Sequence, residues 1–318
     1  MKCVFLVVWL LSLNPLMGKT ITVSKTGPYK KIARALQLAK AGDRIVVKKG
    51  TYHENTLIIN NSVTILTTEG ATIDGSGEAK DIFIVRADDV HISGFFLVNV
   101  GVSYLEEAAA IRLVHCENAI IENNRIDSCF FGIYVEYGKF AKIRSNTIRG
   151  SFTDEASAGN AIHAWKGDNL TISDNHSTGH RDGIYFEFVN NSRITNNVSE
   201  KNLRYGLHFM FSNDDVYENN LFKDNGAGVA VMFSRNITMK RNQFIHNWGG
   251  AAYGLLLKEI SDGKIERNKF IQNTIAILAE GANRLEIFEN EFKLNGTAID
   301  IKGNCLDNEI QRNNFVAN

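Results

Sequence analysis

Short apolar stretches separated by polar corners run the length of the chain, and from about residue 120 they fall into register. The pattern apolar-x-x-Asn appears at Ile121–Asn124, Ile143–Asn146, Ile172–Asn175, Ile194–Asn197 and Val216–Asn219. It continues at Met239–Asn242, Ile265–Asn268, Ile287–Asn290 and Ile310–Asn313. The Asn-to-Asn steps are 22, 29, 22, 22, 23, 26, 22 and 23 residues. Seven of the nine units place Ile, Leu or Phe two residues after the Asn; Ser177 and Ser199 are the exceptions. The short runs alternate as strands do, and no long helical pattern interrupts them. This period predicts an all-β solenoid, a right-handed parallel β-helix whose coils bury their inner faces only by stacking. The repeated Asn is expected at a corner, in left-handed geometry and bonded to local backbone, stacking into an amide ladder. The two longest steps mark insertions around Ser151–Gly159 and Trp248–Ala252.

Upstream, Ile32, Ala35, Leu36 and Ala39 form an apolar stripe at helical spacing within Tyr29–Lys40. Gly42-Asp43 stops that stripe, and Arg44–Lys48 begins the first strand. The expected organisation is a cleaved leader over 1–18, an N-terminal cap over 19–50 (amphipathic helix plus first strand), and the β-helix over 51–318. The leader rests on Lys2, the apolar run Cys3–Leu13 and small Gly18 before Lys19. A run of about 11 residues falls short of the roughly 20 that a bilayer requires, so no direct membrane span is expected once the leader is cut. At the other end the chain stops at Phe315–Asn318 directly after a repeat, with no capping helix. Either the chain is incomplete there or something else covers the last edge.

Composition narrows the classes. Lys+Arg and Asp+Glu are both 35 among 318 residues, so the net charge is zero and a nucleic-acid partner, which calls for a basic face, is excluded. With 34 Asn against only 2 Pro, the chain suits frequent regular corners. Collagen, disulfide-knot and multi-span membrane classes do not fit. Export leaves Cys116, Cys129 and Cys305, an odd number whose spacing matches no zinc pattern. They read as small buried hydrophobes.

The candidate chemistry lies on a second strand, opened in most units by Gly or Ala. Its outward pairs in order are Tyr134/Glu136, His163/Trp165, Tyr185/Glu187, His208/Met210, Ala230/Met232, Leu256/Lys258, Leu278/Glu280 and Asp300/Lys302. Coils about 4.8 Å apart make successive pairs neighbours in space. Met210 and Met232 are expected to face solvent on adjacent coils beside His208. Two thioethers and an imidazole suit a soft cation, Cu(I) above others, held transiently because a relay must release it. His163 and Glu187 come second, as auxiliary ligands or docking contacts. A docking surface for partner proteins explains the same residues without metal. Polysaccharide binding or cleavage is the rival reading. Glu136 and Glu187 are two coils apart, roughly 9.6 Å, too far for a retaining pair and at the limit for an inverting one. The only outward Asp is Asp300, and the two Glu are expected to pair with Arg181 or Arg204. A bland structural scaffold is disfavoured by the richness of the 134–232 face.

The segments Gly159–Trp165, Arg181–Phe188, Leu203–Asn213, Gly226–Ser234, Tyr253–Ile260 and Glu280–Arg284 together resemble the NosD family, periplasmic maturation proteins of nitrous oxide reductase. The resemblance covers essentially the whole mature chain. Its motifs are far more specific than the general β-helix repeat shared by many carbohydrate-binding and sugar-hydrolase proteins. It implies a non-enzymatic accessory in the periplasm, held at the inner membrane by an ABC transporter (an ATPase and a membrane subunit). A membrane-anchored copper chaperone and nitrous oxide reductase itself are the other implied partners. It supplies no ligand assignment, so the copper set His208, Met210 and Met232 stands on the residues alone.

Overall fold

The computed structural model describes residues 18–103, 106–249 and 252–318, so the expected leader lies, but for Gly18, outside the described residues. The described residues form three parallel sheets of 13, 11 and 12 strands, the expected β-helix. A typical coil contributes one strand to each, as in Ile120–Glu122, Arg125–Cys129 and Phe131–Glu136. Apolar residues point inward to one continuous core running from Ile21 to Phe292.

The amide ladder exists, with two differences from expectation. Asn124, Asn146, Asn175, Asn197, Asn220, Asn242, Asn268 and Asn290 are buried, and each side-chain oxygen accepts from the backbone N–H of the preceding ladder residue or its equivalent. The member on its coil is Asn220, because Tyr217 and not Val216 turns inward there. Left-handed geometry belongs to the residue just before the ladder Asn: Asn123, Ser145, Asp174, Asn196, Asn219, Arg241, Arg267, Glu289 and Arg312 all have φ between 53° and 57°. The ladder Asn is thereby free to turn its amide inward and satisfy the corner backbone.

Five residues later in each coil runs a second ladder that the repeat pattern did not single out. It links Asn202, Asn225, Asn247, Asn273, Asn295 and Asn318, with the His180 N–H donating to Asn202 at its head. Beside it the rings of Phe222, Phe244, Phe270, Phe292 and Phe315 stack with centroids 5.5, 4.5, 5.0 and 4.9 Å apart. The two Ser exceptions meet a glycine. A Cβ on Gly183 would lie 1.9 Å from Ser199 Oγ and 2.7 Å from Ser177 Oγ, so these two hydroxyls sit directly against the Gly183 backbone.

The N-terminal helix is shorter than expected. Helix α1 spans Ile32–Leu38, with Ile32, Ala35 and Leu36 buried, and the Glu54 carboxylate accepts from the N–H groups of Ile32 and Ala33 at 2.8 and 3.0 Å. The first strand precedes it: Thr20–Val23 pairs in parallel with Arg44–Val47, so the solenoid ladder begins before the helix. Cys116 and Cys129 are buried and Cys305 is half-buried, all three free thiols. Burial pushes the Cys116 and Cys129 thiols up to about 11 and about 12, so both are protonated at neutral pH.

Candidate functional site

The outward pairs fall in the expected register on the 11-strand sheet. Tyr134, His163, Tyr185 and His208 follow one another across it, as do Glu136, Trp165, Glu187, Met210 and Met232. Outward does not mean exposed. The first four rings form a column with centroids 4.5, 4.8 and 4.9 Å apart, and His163 and His208 retain only 7% and 4% of their surface. Met210 and Met232 are half-buried, not the solvent-facing residues expected. The cover comes in part from the residues that begin these strands: Phe131 packs on His163 and Tyr205 on His208, while Glu107 and Arg181 line the same face. The Ser151–Gly159 insertion carries a single 3-10 turn, Glu155–Ser157, capped by the Asp154 carboxylate, and its Phe152 lies against His180.

The result is a cavity of about 300 Å³ lined by Glu107, Asn160, Arg181, Asp182, Tyr185, Glu187, Arg204, His208 and Met210, besides Phe131 and His163. Among the described residues, both ring nitrogens of His208 are buried without a hydrogen-bond partner, as is Arg181 Nε. Met210 Sδ accepts from the Tyr185 hydroxyl at 3.6 Å. His163 Nδ1 lies 3.2 Å from the Asn160 amide nitrogen, and burial beside Arg112 and Arg181 lowers its pKa to about 3, so it is neutral. Burial beside Glu187 raises the Tyr185 phenol to about 12.

The predicted set is therefore only partly gathered. His208, Met210, His163 and Glu187 share the cavity, whereas Met232 packs in an apolar patch with Ala230, Leu256, Leu278 and Tyr253. Among the described residues no group of three or more His, Cys, Asp or Glu is spaced to hold a metal, so a zinc- or calcium-type cage is not offered. An imidazole beside a thioether fits Cu(I) better than a harder ion. Leucine at both 210 and 232 is expected to leave the unfolding free energy from urea titration within ~1 kcal/mol of wild type, because neither side chain faces the core. A variant that unfolds would shift the outward register by one residue.

Three features escaped the sequence reading. Asp182 lies one residue before Gly183, the Gly that opens its strand, so the outward-pair pattern did not cover it; it brings an aspartate, 1% exposed, to a face whose only expected Asp was Asp300. Glu136 pairs with Arg112 at 3.7 Å instead of with Arg181 or Arg204. Along one corner Phe188, Phe211 and Phe233 stack with centroids 5.0 and 5.2 Å apart while remaining 42%, 38% and 42% exposed. Phe recurring right after each outward pair on three successive coils was the available signal.

Several comparisons bear on this chain. It matches a family of proteins of unknown function (DUF1565) over residues 17–225. A cell surface glycoprotein of Methanothermus fervidus is 27% identical over 122 residues, which is 38% of this chain and 19% of that relative. Among solved structures, a lacto-N-biosidase from Eubacterium ramulus aligns with TM-score 0.70 at 11% identity, covering 93% of this chain and 68% of that one. An exopolygalacturonase from Thermotoga maritima aligns with TM-score 0.66 at 11% identity over 89% and 86% of the two chains. A periplasmic alginate epimerase aligns with TM-score 0.62 at 14% identity over 86% and 77%. These likenesses concern the fold, and they correct one expectation. The fold is shared with polysaccharide-processing enzymes, and the face holds Glu107, Asp182 and Glu187 where no carboxylate cluster was foreseen, so the inference that the chain is no enzyme does not stand. The remaining match is to the family described as periplasmic copper-binding protein (NosD), over residues 151–318, which includes the strands bearing His163, Glu187, His208, Met210 and Met232. Matching that family over more than half its length, the chain belongs to the NosD family.

Proposed function

We propose that this protein handles Cu(I) as cargo, as relay and docking scaffold, during assembly of the copper centres of nitrous oxide reductase. In this reading it works in the periplasm with an ABC transporter (ATPase and membrane subunit) and a membrane-anchored copper chaperone. The observation that carries the reading is His208, whose two buried nitrogens lack partners among the described residues, beside the Met210 thioether. A buried polar group without a partner costs about 1–3 kcal/mol, and a metal would recover that cost. His208 and Met210 supply the soft donors, Met232 lies one coil away, and His163 and Glu187 line the approach. The Phe188–Phe211–Phe233 ridge supports the docking half. Its rings lie within 9° and 15° of parallel and use their faces on one another, leaving apolar edges suited to a protein surface and poor for stacking sugars.

The test is an anaerobic Cu(I) competition titration against a chromophoric chelator. Wild type is expected to take about one Cu(I), and the His208→Ala, Met210→Leu, Met232→Leu variant to lose it. Failure of folded wild type to bind would remove the copper site and leave the ridge as a docking surface.

A second reading keeps the cavity and changes the ligand. His208 beside Asp182, the Tyr185 phenol and the guanidinium groups of Arg181 and Arg204 form a set able to move a proton on an acidic sugar. The polysaccharide-processing enzymes of similar fold favour testing it. New unsaturated or epimerised sugar signals in NMR spectra of uronate polymers, lost in His208→Ala, would support this reading over copper.

A further inference from the structure

We propose that Asp182 is a positioning residue that decides which nitrogen of His208 is offered to the metal. The inference rests on the Cu(I) reading of the cavity, but its first readout needs no copper. Asp182 is 1% exposed and is pinned from two directions. Its N–H donates to Asn160 Oδ1 at 3.2 Å, and its Oδ1 accepts from the Tyr205 N–H at 3.1 Å. The other oxygen, Oδ2, is left facing His208 Nδ1 at 3.7 Å.

The imidazole has little freedom to turn away, because the rings of Tyr185 and Tyr205 lie against it at 4.9 and 4.7 Å. Among the described residues its nitrogens find no hydrogen-bond partner, so the carboxylate facing Nδ1 acts on where the ring hydrogen sits. At 3.7 Å the contact is longer than a hydrogen bond, and its effect is electrostatic. A carboxylate has only lone pairs to present. The nitrogen facing it therefore carries the hydrogen, and Nε2 keeps the lone pair that a metal needs. This is the carboxylate–histidine arrangement in which an outer group fixes the tautomer of a metal-binding ring.

The geometry yields a specific inversion. In Asp182→Asn the Tyr205 N–H still requires an oxygen at Oδ1, so the amide NH₂ replaces Oδ2 and becomes a donor facing Nδ1. Nδ1 must then accept, the hydrogen moves to Nε2, and the ligating nitrogen is blocked. Long-range ¹⁵N–¹H NMR spectra of the full chain labelled at histidine, with His208→Gln to assign the signal, read the tautomer directly. Wild type is expected to show Nδ1–H and Asp182→Asn to show Nε2–H, with Cu(I) affinity lower by about 10–100-fold. Asp182→Ala removes both influences and is expected to give a mixture of tautomers. An Nε2–H tautomer in wild type overturns the proposal whether or not the variants fold. So does an Asp182→Asn protein with unchanged tautomer. If the tautomer inverts but wild type binds no Cu(I), the role of Asp182 stands and the copper reading falls.

Discussion

Replacing Asn242 with leucine is expected to remove on the order of 5 kcal/mol of stability, enough to leave much of the chain unfolded under ordinary conditions. The side chain is an internal rung that serves both neighbouring coils. Its Nδ2 donates to Tyr217 O at 2.9 Å and to Asn268 Oδ1 at 3.1 Å, while its Oδ1 accepts from Asn220 N and Asn220 Nδ2, both at 3.0 Å. Leucine fills similar volume but leaves the two Asn220 donors and the Tyr217 carbonyl buried without partners. Each such group costs about 1–3 kcal/mol, and no water reaches a residue with 0% exposure to compensate. The control is Asn314→Leu, because Asn314 is exposed in the strand Asn314–Val316 and its replacement should cost below about 1 kcal/mol. Urea unfolding followed by circular dichroism measures both. Similar small losses in the two variants would show the ladder to be ornamental to stability.

That ladder was legible in the sequence because a solenoid repeats its demands. An Asn needed at one corner is needed at the next, so periodicity alone located it. The slip at Asn219 against Asn220 shows where the signal thins. Val216 and Tyr217 are both apolar and two Asn stand side by side, so only the pairing of Tyr217 with Ile194 and Met239 chooses between them. The site was legible to the same depth. Strand alternation placed His163, Tyr185, Glu187, His208 and Met210 on one face, because pleating is local. Whether that face is wet is a tertiary matter. Phe131 and Tyr205 begin their strands one residue ahead of the Gly that opens the alternating run, and Glu107 lies outside any strand, so the outward-pair pattern covered none of them, and they turned an expected exposed strip into a cavity. Asp182 was hidden because its column, which continues as Tyr205 and Ala227 and lies one residue ahead of the Gly or Ala that opens each strand, changes residue type from coil to coil and so gives no repeat to read.

Stability is expected to peak near pH 6.5 and to decline by about 1.5–2 kcal/mol toward pH 8, with Asp215→Asn abolishing the alkaline decline. Asp215 is fully buried, its Oδ1 accepting from Ser192 N at 2.8 Å and its Oδ2 from the Tyr217 hydroxyl at 3.4 Å. Burial, opposed by those bonds and reinforced by the charges of Asp214 and Asp168, raises its pKa from 3.8 to about 8. The folded carboxyl is thus protonated at neutral pH while the unfolded one is ionised, so folding takes up a proton. Its stabilising contribution is complete below about pH 4 and is lost as pH rises through about 8. The interval between those values corresponds to on the order of 5 kcal/mol. His180 acts in the other direction. It is fully buried, and burial lowers its pKa from 6.5 to about 4, so its neutral form favours folding above 6.5 and that advantage is lost as pH falls toward 4. His163, lowered to about 3, adds to the same acid arm. Below pH 6.5 two histidines oppose one aspartate and stability falls with acid; above it only Asp215 titrates and stability falls with base. Asparagine at 215 keeps an oxygen for Ser192 N and carries no charge to desolvate. Urea midpoints at pH 6.5 and 8.5 decide the matter: wild type should lose stability between them and Asp215→Asn should not. Parallel profiles for the two proteins would mean that Asp215 is ionised in the folded core, stabilised there by its contacts with Ser192 and Tyr217.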